Sequence, residues 1–171
     1  VPMMVEGGVL LHKAEKVVRK DIETKALPEN YQNAALAEIL GIPVIGIHTP
    51  TDNYALHHTR NLVSEQQPRT VGDLLDLLKA LPECEVAAER RTSHPPRALI
   101  GNERDSLDKI YYVLTGGWNP SSEAFRMIAE AGVGTIVMVD AGEDHKKIAE
   151  ELKMSIVRFP HFPADSLGIN L

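Results

Sequence analysis

The sequence predicts an α/β protein, a mainly parallel sheet flanked by helices. Two observations carry this. From Lys109 onward, apolar β-branched runs and helical patterns alternate as strand, helix, strand, helix, strand. That alternation calls for crossovers between parallel strands, with helices on the sheet faces. Earlier in the chain, residues 42–47 (Ile-Pro-Val-Ile-Gly-Ile) form a short continuous apolar run of the kind buried strands show.

Taken in order, residues 9–26 set Leu10, Leu11, Ala14, Val17, Val18 and Ile22 at helical spacing and predict an amphipathic helix. Residues 31–40 predict a second helix, stopped by Gly41. The strand 42–47 follows, then a helix over 54–65. Thr70 as N-cap, with Asp73 in the first turn, opens a helix that runs through Leu81 and is closed by Pro82. In the charged stretch 83–108, Val86–Arg91 is the candidate strand and His94-Pro95-Pro96 a break. Next come the strand Lys109–Leu114, the turn Thr115-Gly116-Gly117 and a helix over 121–131 ended by Gly132. The strand Thr135–Val139, a helix over 143–153 and the strand Ser155–Phe159 complete the reading. The stretch 83–108 is the best boundary. It separates an N-terminal region, residues 1–82, from a C-terminal region, residues 83–171, or joins them as one intertwined domain.

The chain has 171 residues, 43% of them hydrophobic and 25% charged, enough for a buried core. A net charge of −6 speaks against binding a nucleic-acid backbone, which needs a basic face. The lone Cys84 allows neither an intrachain disulfide nor a thiolate metal site, and fits a reducing, cytoplasmic setting. No apolar run approaches the roughly 18 residues of a membrane-spanning helix. The first residues lack the basic-then-apolar layout of a signal peptide.

The most informative feature is an internal echo. His48-Thr49-Pro50-Thr51-Asp52 follows one predicted strand and His161-Phe162-Pro163-Ala164-Asp165 follows another. Both read His-x-Pro-x-Asp, and of seven histidines only these two have Asp four positions on. The carboxyl edge of a parallel sheet is where ligands bind. A proline that stiffens a tight bend would let each His and Asp converge on one point. Imidazole with carboxylate suits iron, zinc, manganese or nickel. Four such ligands could hold metal that activates water and steadies charge on a substrate. The plainer reading makes Asp52 and Asp165 caps of helices or turns and the histidines loop residues.

Glu143 and His145 follow the strand 135–139 and are candidates for moving protons, against a plainer role for first-turn acids in complementing the helix dipole. Thr115, Gly116 and Gly117 stand between a strand and a helix, where backbone N–H groups could hold an anion; a simple tight turn is the competing account. The adjacent His57 and His58 point to different sides of a helix and read as surface. Cys84 has no His nearby in sequence and is not proposed as a nucleophile.

Several pieces together resemble the NGG-one-interacting factor three (Nif-three-like) family, especially its prokaryotic branch. They are Gly41-Ile42-Pro43, His48 through Asn53, Leu114-Thr115-Gly116-Gly117, Ala131-Gly132-Val133 and His161 through Asn170. The resemblance covers most of residues 40–171 and implies a dinuclear metal site in a three-layer α/β fold, usually within a toroidal homohexamer. By it, Asp52, His161 and Asp165 are metal ligands and His48 lies at the same site. Members are often labelled GTP cyclohydrolase 1 type 2, which implies a metal-dependent hydrolase acting on a small molecule or nucleotide. A non-catalytic metal-binding or oligomeric scaffold is the rival expectation. One departure is plain: the family's His-His pair ahead of the first segment has no counterpart here, where His12 stands alone.

Overall fold

A computed structural model of the chain describes residues 39–41, 48–115 and 119–170, with His48 described by its backbone alone. The expected helix over 9–26, the strand 42–47 and the Gly116-Gly117 portion of the turn lie outside the described residues, as does most of the helix expected over 31–40. At the end of that helix, Ile39 and Leu40 are helical and Gly41 follows at φ +63°, the left-handed backbone that commonly ends helices.

The described chain runs α1 (His48–Gln66), α2 (Val71–Lys79), α3 (Pro82–Glu89), β1 (Arg97–Ile100), β2 (Lys109–Val113), α4 (Ser122–Glu130), β3 (Val133–Met138), α5 (Glu143–Glu151), β4 (Ser155–Arg158) and α6 (His161–Asn170). The strands form one sheet in the order β1-β4-β3-β2. β2 pairs with β3 and β3 with β4 in parallel, while β1 lies antiparallel to β4.

Each step from β2 to β3 to β4 moves the same way across the sheet, so right-handed crossovers set α4 and α5 on one face. There Phe125, Ile128, Ile148 and Ala149 pack with Ile136, Met138 and Ile156. Side chains alternate along a strand, so Val137 and Val157 serve the other face. They join Ala55, Leu74, Leu75, Leu78, Cys84 and Leu167. The layers are therefore α1, α2, α3 and α6, then the sheet, then α4 and α5. The cluster beneath α1 and α2 draws on residues from both sides of position 82.

Local chemistry explains where the helices start. Thr70 and Asp73 form a reciprocal capping box: Thr70 Oγ1 accepts from the Asp73 N–H at 3.1 Å, and Asp73 Oδ2 accepts from the Thr70 N–H at 2.9 Å. That carboxylate also takes the Arg69 N–H at 2.9 Å. Ser121 caps α4 through Ala124 N–H at 3.3 Å. Gly132 ends the turn after α4 at φ +79°, as its position in the sequence predicts.

The structure corrects three expectations and adds two elements. The helix expected over 54–65 begins a turn and a half earlier, at His48. Val86–Arg91 is not a strand, because Pro82 stands in the first turn of α3 and Glu83 and Glu85 complement its dipole, burying Cys84 and Ala87. Pro82 thus opens a helix; the preceding one stops at Lys79. The sequence does not predict β1, since four residues behind Pro95-Pro96 carry too little periodicity to register. Nor does it predict α6, whose Pro163 and Gly168 are poor helix formers; its burial of Ala164, Leu167 and Gly168 holds it.

Candidate functional site

The two His-x-Pro-x-Asp segments are not bends but the first turns of α1 and α6. In each, proline is the third helical residue, where its missing N–H has no intrahelical partner to lose. The Ala164 N–H bonds the Pro160 carbonyl at 3.1 Å and begins the α6 ladder. Helical geometry does the work that the sequence assigns to a bend, because positions four apart lie on one face, one turn above the other.

The later part of α6 packs on the first turn of α1. Gly168 lies on the same face of α6 as His161 and Asp165, and it packs against the backbone of Thr51 in the first turn of α1. A Cβ on Gly168 would overlap the Thr51 carbonyl oxygen and fall 2.8 Å from Thr51 Cγ2. Glycine is required there by close approach of two backbones. Thr51 and Asp52 are both buried, at 9% and 5% exposure. The His48 side chain lies outside the described residues.

Around His161 the structure assembles a small charged network. Nε2 of the ring is 3.3 Å from Asp165 Oδ2, and Nδ1 is 3.7 Å from Asp140 Oδ2. Asp140 Oδ1 accepts from Arg158 Nη2 at 3.3 Å, and Arg158 Nε donates to the Val139 carbonyl at 3.3 Å. These residues sit just beyond the carboxyl ends of β3 and β4, the edge that parallel sheets use for ligands. Asp140 and Arg158 had no motif to mark them. The available signal was topological: each directly ends or follows one of two adjacent parallel strands.

The donor set is nitrogen and oxygen, the chemistry of borderline divalent cations. His161 and Asp165 make a convergent pair, with Asp52 on the neighbouring helix. Among the described residues no group of three or more His, Cys, Asp or Glu is arranged to hold a metal ion.

The remaining candidates make contacts of their own. Glu143 is exposed and accepts from Lys146 Nζ at 2.6 Å, and that bond holds its carboxyl below the ordinary range. His145 has both ring nitrogens engaged: Nδ1 accepts the Gly142 N–H at 2.9 Å, and Nε2 stands 2.9 Å from the Pro120 carbonyl. A carbonyl only accepts, so the proton is on Nε2. The ring also stacks on Phe125, with centroids 5.5 Å apart. His145 therefore ties the start of α5 to the segment before α4. Thr115 is half-buried beyond β2, while Gly116 and Gly117 are outside the described residues. Cys84 is buried, and loss of solvation pushes its thiol up to about 12, with Glu83 adding to the rise. A thiol held protonated is a poor nucleophile. A groove of about 390 Å³ between the second half of α1 and β2, lined by Arg60, Val63, Leu107 and Tyr112 among others, contains none of the candidate residues.

Fold and site together define a three-layer α/β protein with an imidazole–carboxylate network at the carboxyl edge of its sheet. The fold is that of a solved structure, a NIF3 superfamily protein from Sphaerobacter thermophilus, with a TM-score of 0.65 at 22% identity over 95% of this chain and 66% of that one. The chain thus spans just under two thirds of that protein's length. No family model and no curated protein matches it. No helix among the described residues is long and apolar enough to cross a membrane.

Proposed function

We propose that the chain is a Nif-three-like protein that binds divalent cations where α1 and α6 begin, and that it is a metal-dependent hydrolase of a small molecule or nucleotide. The observations that support this best are His161 Nε2 and Asp165 Oδ2, set 3.3 Å apart in the first turn of α6, and the close packing of Gly168, further along that helix, on Thr51 in the first turn of α1. Asp52, His161 and Asp165 would hold the cations, with His48 at the same site. The fold shared with the NIF3 superfamily structure supports the same reading.

When bound, such a cation polarises a substrate oxygen and lowers the pKa of water. The chain's own residues divide the remaining work. Asp52 is buried, and a carboxylate in such a low-dielectric setting would attract a cation strongly. Asp165, half-exposed beside His161, would meet the substrate from solvent. Of the two expected proton carriers, Glu143 keeps an exposed carboxylate for the role, because His145 is committed to backbone groups at both nitrogens. Assembly into a homohexamer belongs to the same proposal and is read by light scattering.

Elemental analysis after loading with zinc or manganese and desalting tests the reading. Metal retained by the wild type and lost on Asp165→Ala, with the fold kept by circular dichroism, supports it. A wild type that retains none overturns it. With metal retained, loss of nucleotide hydrolysis in Asp52→Ala favours the enzyme; binding without turnover of any nucleotide leaves a metal-binding scaffold.

A further inference from the structure

We propose that Arg97 and Arg158, set opposite each other on β1 and β4, form an oxyanion subsite that takes a phosphoryl group at the carboxyl edge of the sheet. The inference needs no cation at His161 and stands apart from the reading above.

Strand register brings the pair together. β1 runs antiparallel to β4 with Arg97 opposite Arg158, so both side chains leave the same face of the sheet. Ala98 and Val157, one position further in, turn to the other face and join the cluster there. Directly opposed residues in an antiparallel ladder hold their Cβ atoms about 4.5–5.5 Å apart, and like charges so placed repel. A bound oxyanion converts that repulsion into shared attraction. The pair stands where β4 ends, and ligands bind at that end of parallel strands.

Both guanidinium groups have donors to give. Arg158 engages Nε with the Val139 carbonyl and Nη2 with Asp140 Oδ1, each at 3.3 Å, which fixes the plane of the group and leaves Nη1. It leans toward the end of β3, while Arg97 stands on the β1 side, so the end of β4 lies between them. Arg97 is exposed and makes no ion pair among the described residues. Asp140 offsets part of the Arg158 charge, and Arg97 therefore supplies most of the attraction.

Positive charge is concentrated in this part of the chain. Residues 90–97 (Arg-Arg-Thr-Ser-His-Pro-Pro-Arg) hold three arginines and no acid in a protein of net charge −6. They lead from the end of α3 into β1. A phosphoryl group suits two such forks better than a carboxylate does. It offers three acceptor oxygens and about two negative charges, whereas one guanidinium fork occupies both oxygens of a carboxylate.

Calorimetric titration in the presence of EDTA tests this, with inorganic phosphate, GMP and guanosine as probes. Arg97→Gln, Arg97→Lys and Arg126→Gln are measured beside the wild type. Arg126 lies on α4 and pairs with Glu151, so it reports nonspecific charge. Phosphate and GMP are expected to bind the wild type, and guanosine is not. Arg97→Gln is expected to weaken phosphate about tenfold, the lower end for a lost charge-assisted hydrogen bond, because the side chain is exposed. Arg97→Lys, which keeps the charge and loses the fork, is expected to weaken it less. Thermal unfolding gives a second readout. Without phosphate, Arg97→Gln is expected to melt no lower than the wild type, since it removes a like-charge pair; added phosphate is expected to raise the wild-type Tm more than that of the variant. GMP bound more tightly than phosphate places the phosphoryl group on a nucleotide, and phosphate bound as tightly or more so makes the free ion the ligand; both support the subsite. A wild type that binds neither overturns it and leaves the cation reading untouched. Affinity unchanged in Arg97→Gln also overturns it. So does an equal loss in Arg126→Gln, which would mean an adventitious ion only.

Discussion

The first turns of α1 and α6 carry the same five-residue pattern in two different environments. Both helices begin at the histidine and both place proline third. Yet Asp52 is 5% exposed, whereas the Asp165 side chain is 40% exposed and stands 3.3 Å from its own histidine. The pattern sets the backbone and the spacing, and the neighbours set the environment. α6 packs on the opening of α1 through Gly168 against Thr51, and both Thr51 and Asp52 are buried there. Nothing comparable covers the opening of α6 among the described residues, so His161 and Asp165 look out over the sheet edge toward Asp140.

This contrast can be broken at its contact point. Gly168→Ala places a methyl group into the Thr51 carbonyl, so the two helices must move apart. The expected cost is about 3 kcal/mol, the upper end of the usual overpacking range, measured by urea unfolding. Unchanged stability would mean that the two backbones do not meet as described.

The two acids sharpen the comparison. Asp52→Ala removes a buried polar group and is expected to cost about 1–3 kcal/mol through its disrupted partners. Asp165→Ala acts on an exposed pair and is expected to stay within about 0.5 kcal/mol in metal-free protein. Equal losses in the same unfolding experiment would erase the distinction.

A third helix start provides the reference, because at α2 the acid turns back on its own helix. Thr70→Ala removes the side-chain acceptor of the capping box and is expected to cost about 1 kcal/mol. The smallest effect concerns pH. Hydrogen bonds from the Arg69 and Thr70 N–H groups hold the Asp73 carboxyl below its ordinary value of 3.8. A lowered folded value means that stabilisation is complete above the unfolded value and is lost as pH falls through the folded one. Stability measured from pH 5 downward should therefore fall less steeply in Asp73→Asn than in the wild type.

Much of the fold is legible in the sequence because it rests on local signals. The alternation from Lys109 onward, Thr70 with Asp73 and Gly132 each state their structure in a few neighbouring residues. α6 is not legible, because a segment containing Pro163 and Gly168 gains its helix from packing. The candidate site divides in the same way. The paired histidines and aspartates stand out by spacing alone, although spacing suggests a bend where the chain forms a helical turn. Asp140 and Arg158 come from separate strands, and no spacing rule joins positions 18 residues apart.

By itself the sequence determined the α/β class, the strand–helix alternation from β2 to β4, and the two echoed segments, since periodicity and caps act over a turn or two. Tertiary structure alone decided that those segments open helices, that α6 meets the first turn of α1 at Gly168, that one acid is buried and the other exposed, and that an aspartate held by an arginine stands beside His161. Burial and long-range pairing depend on which surfaces meet, and that depends on the sheet order and the close approach at Gly168.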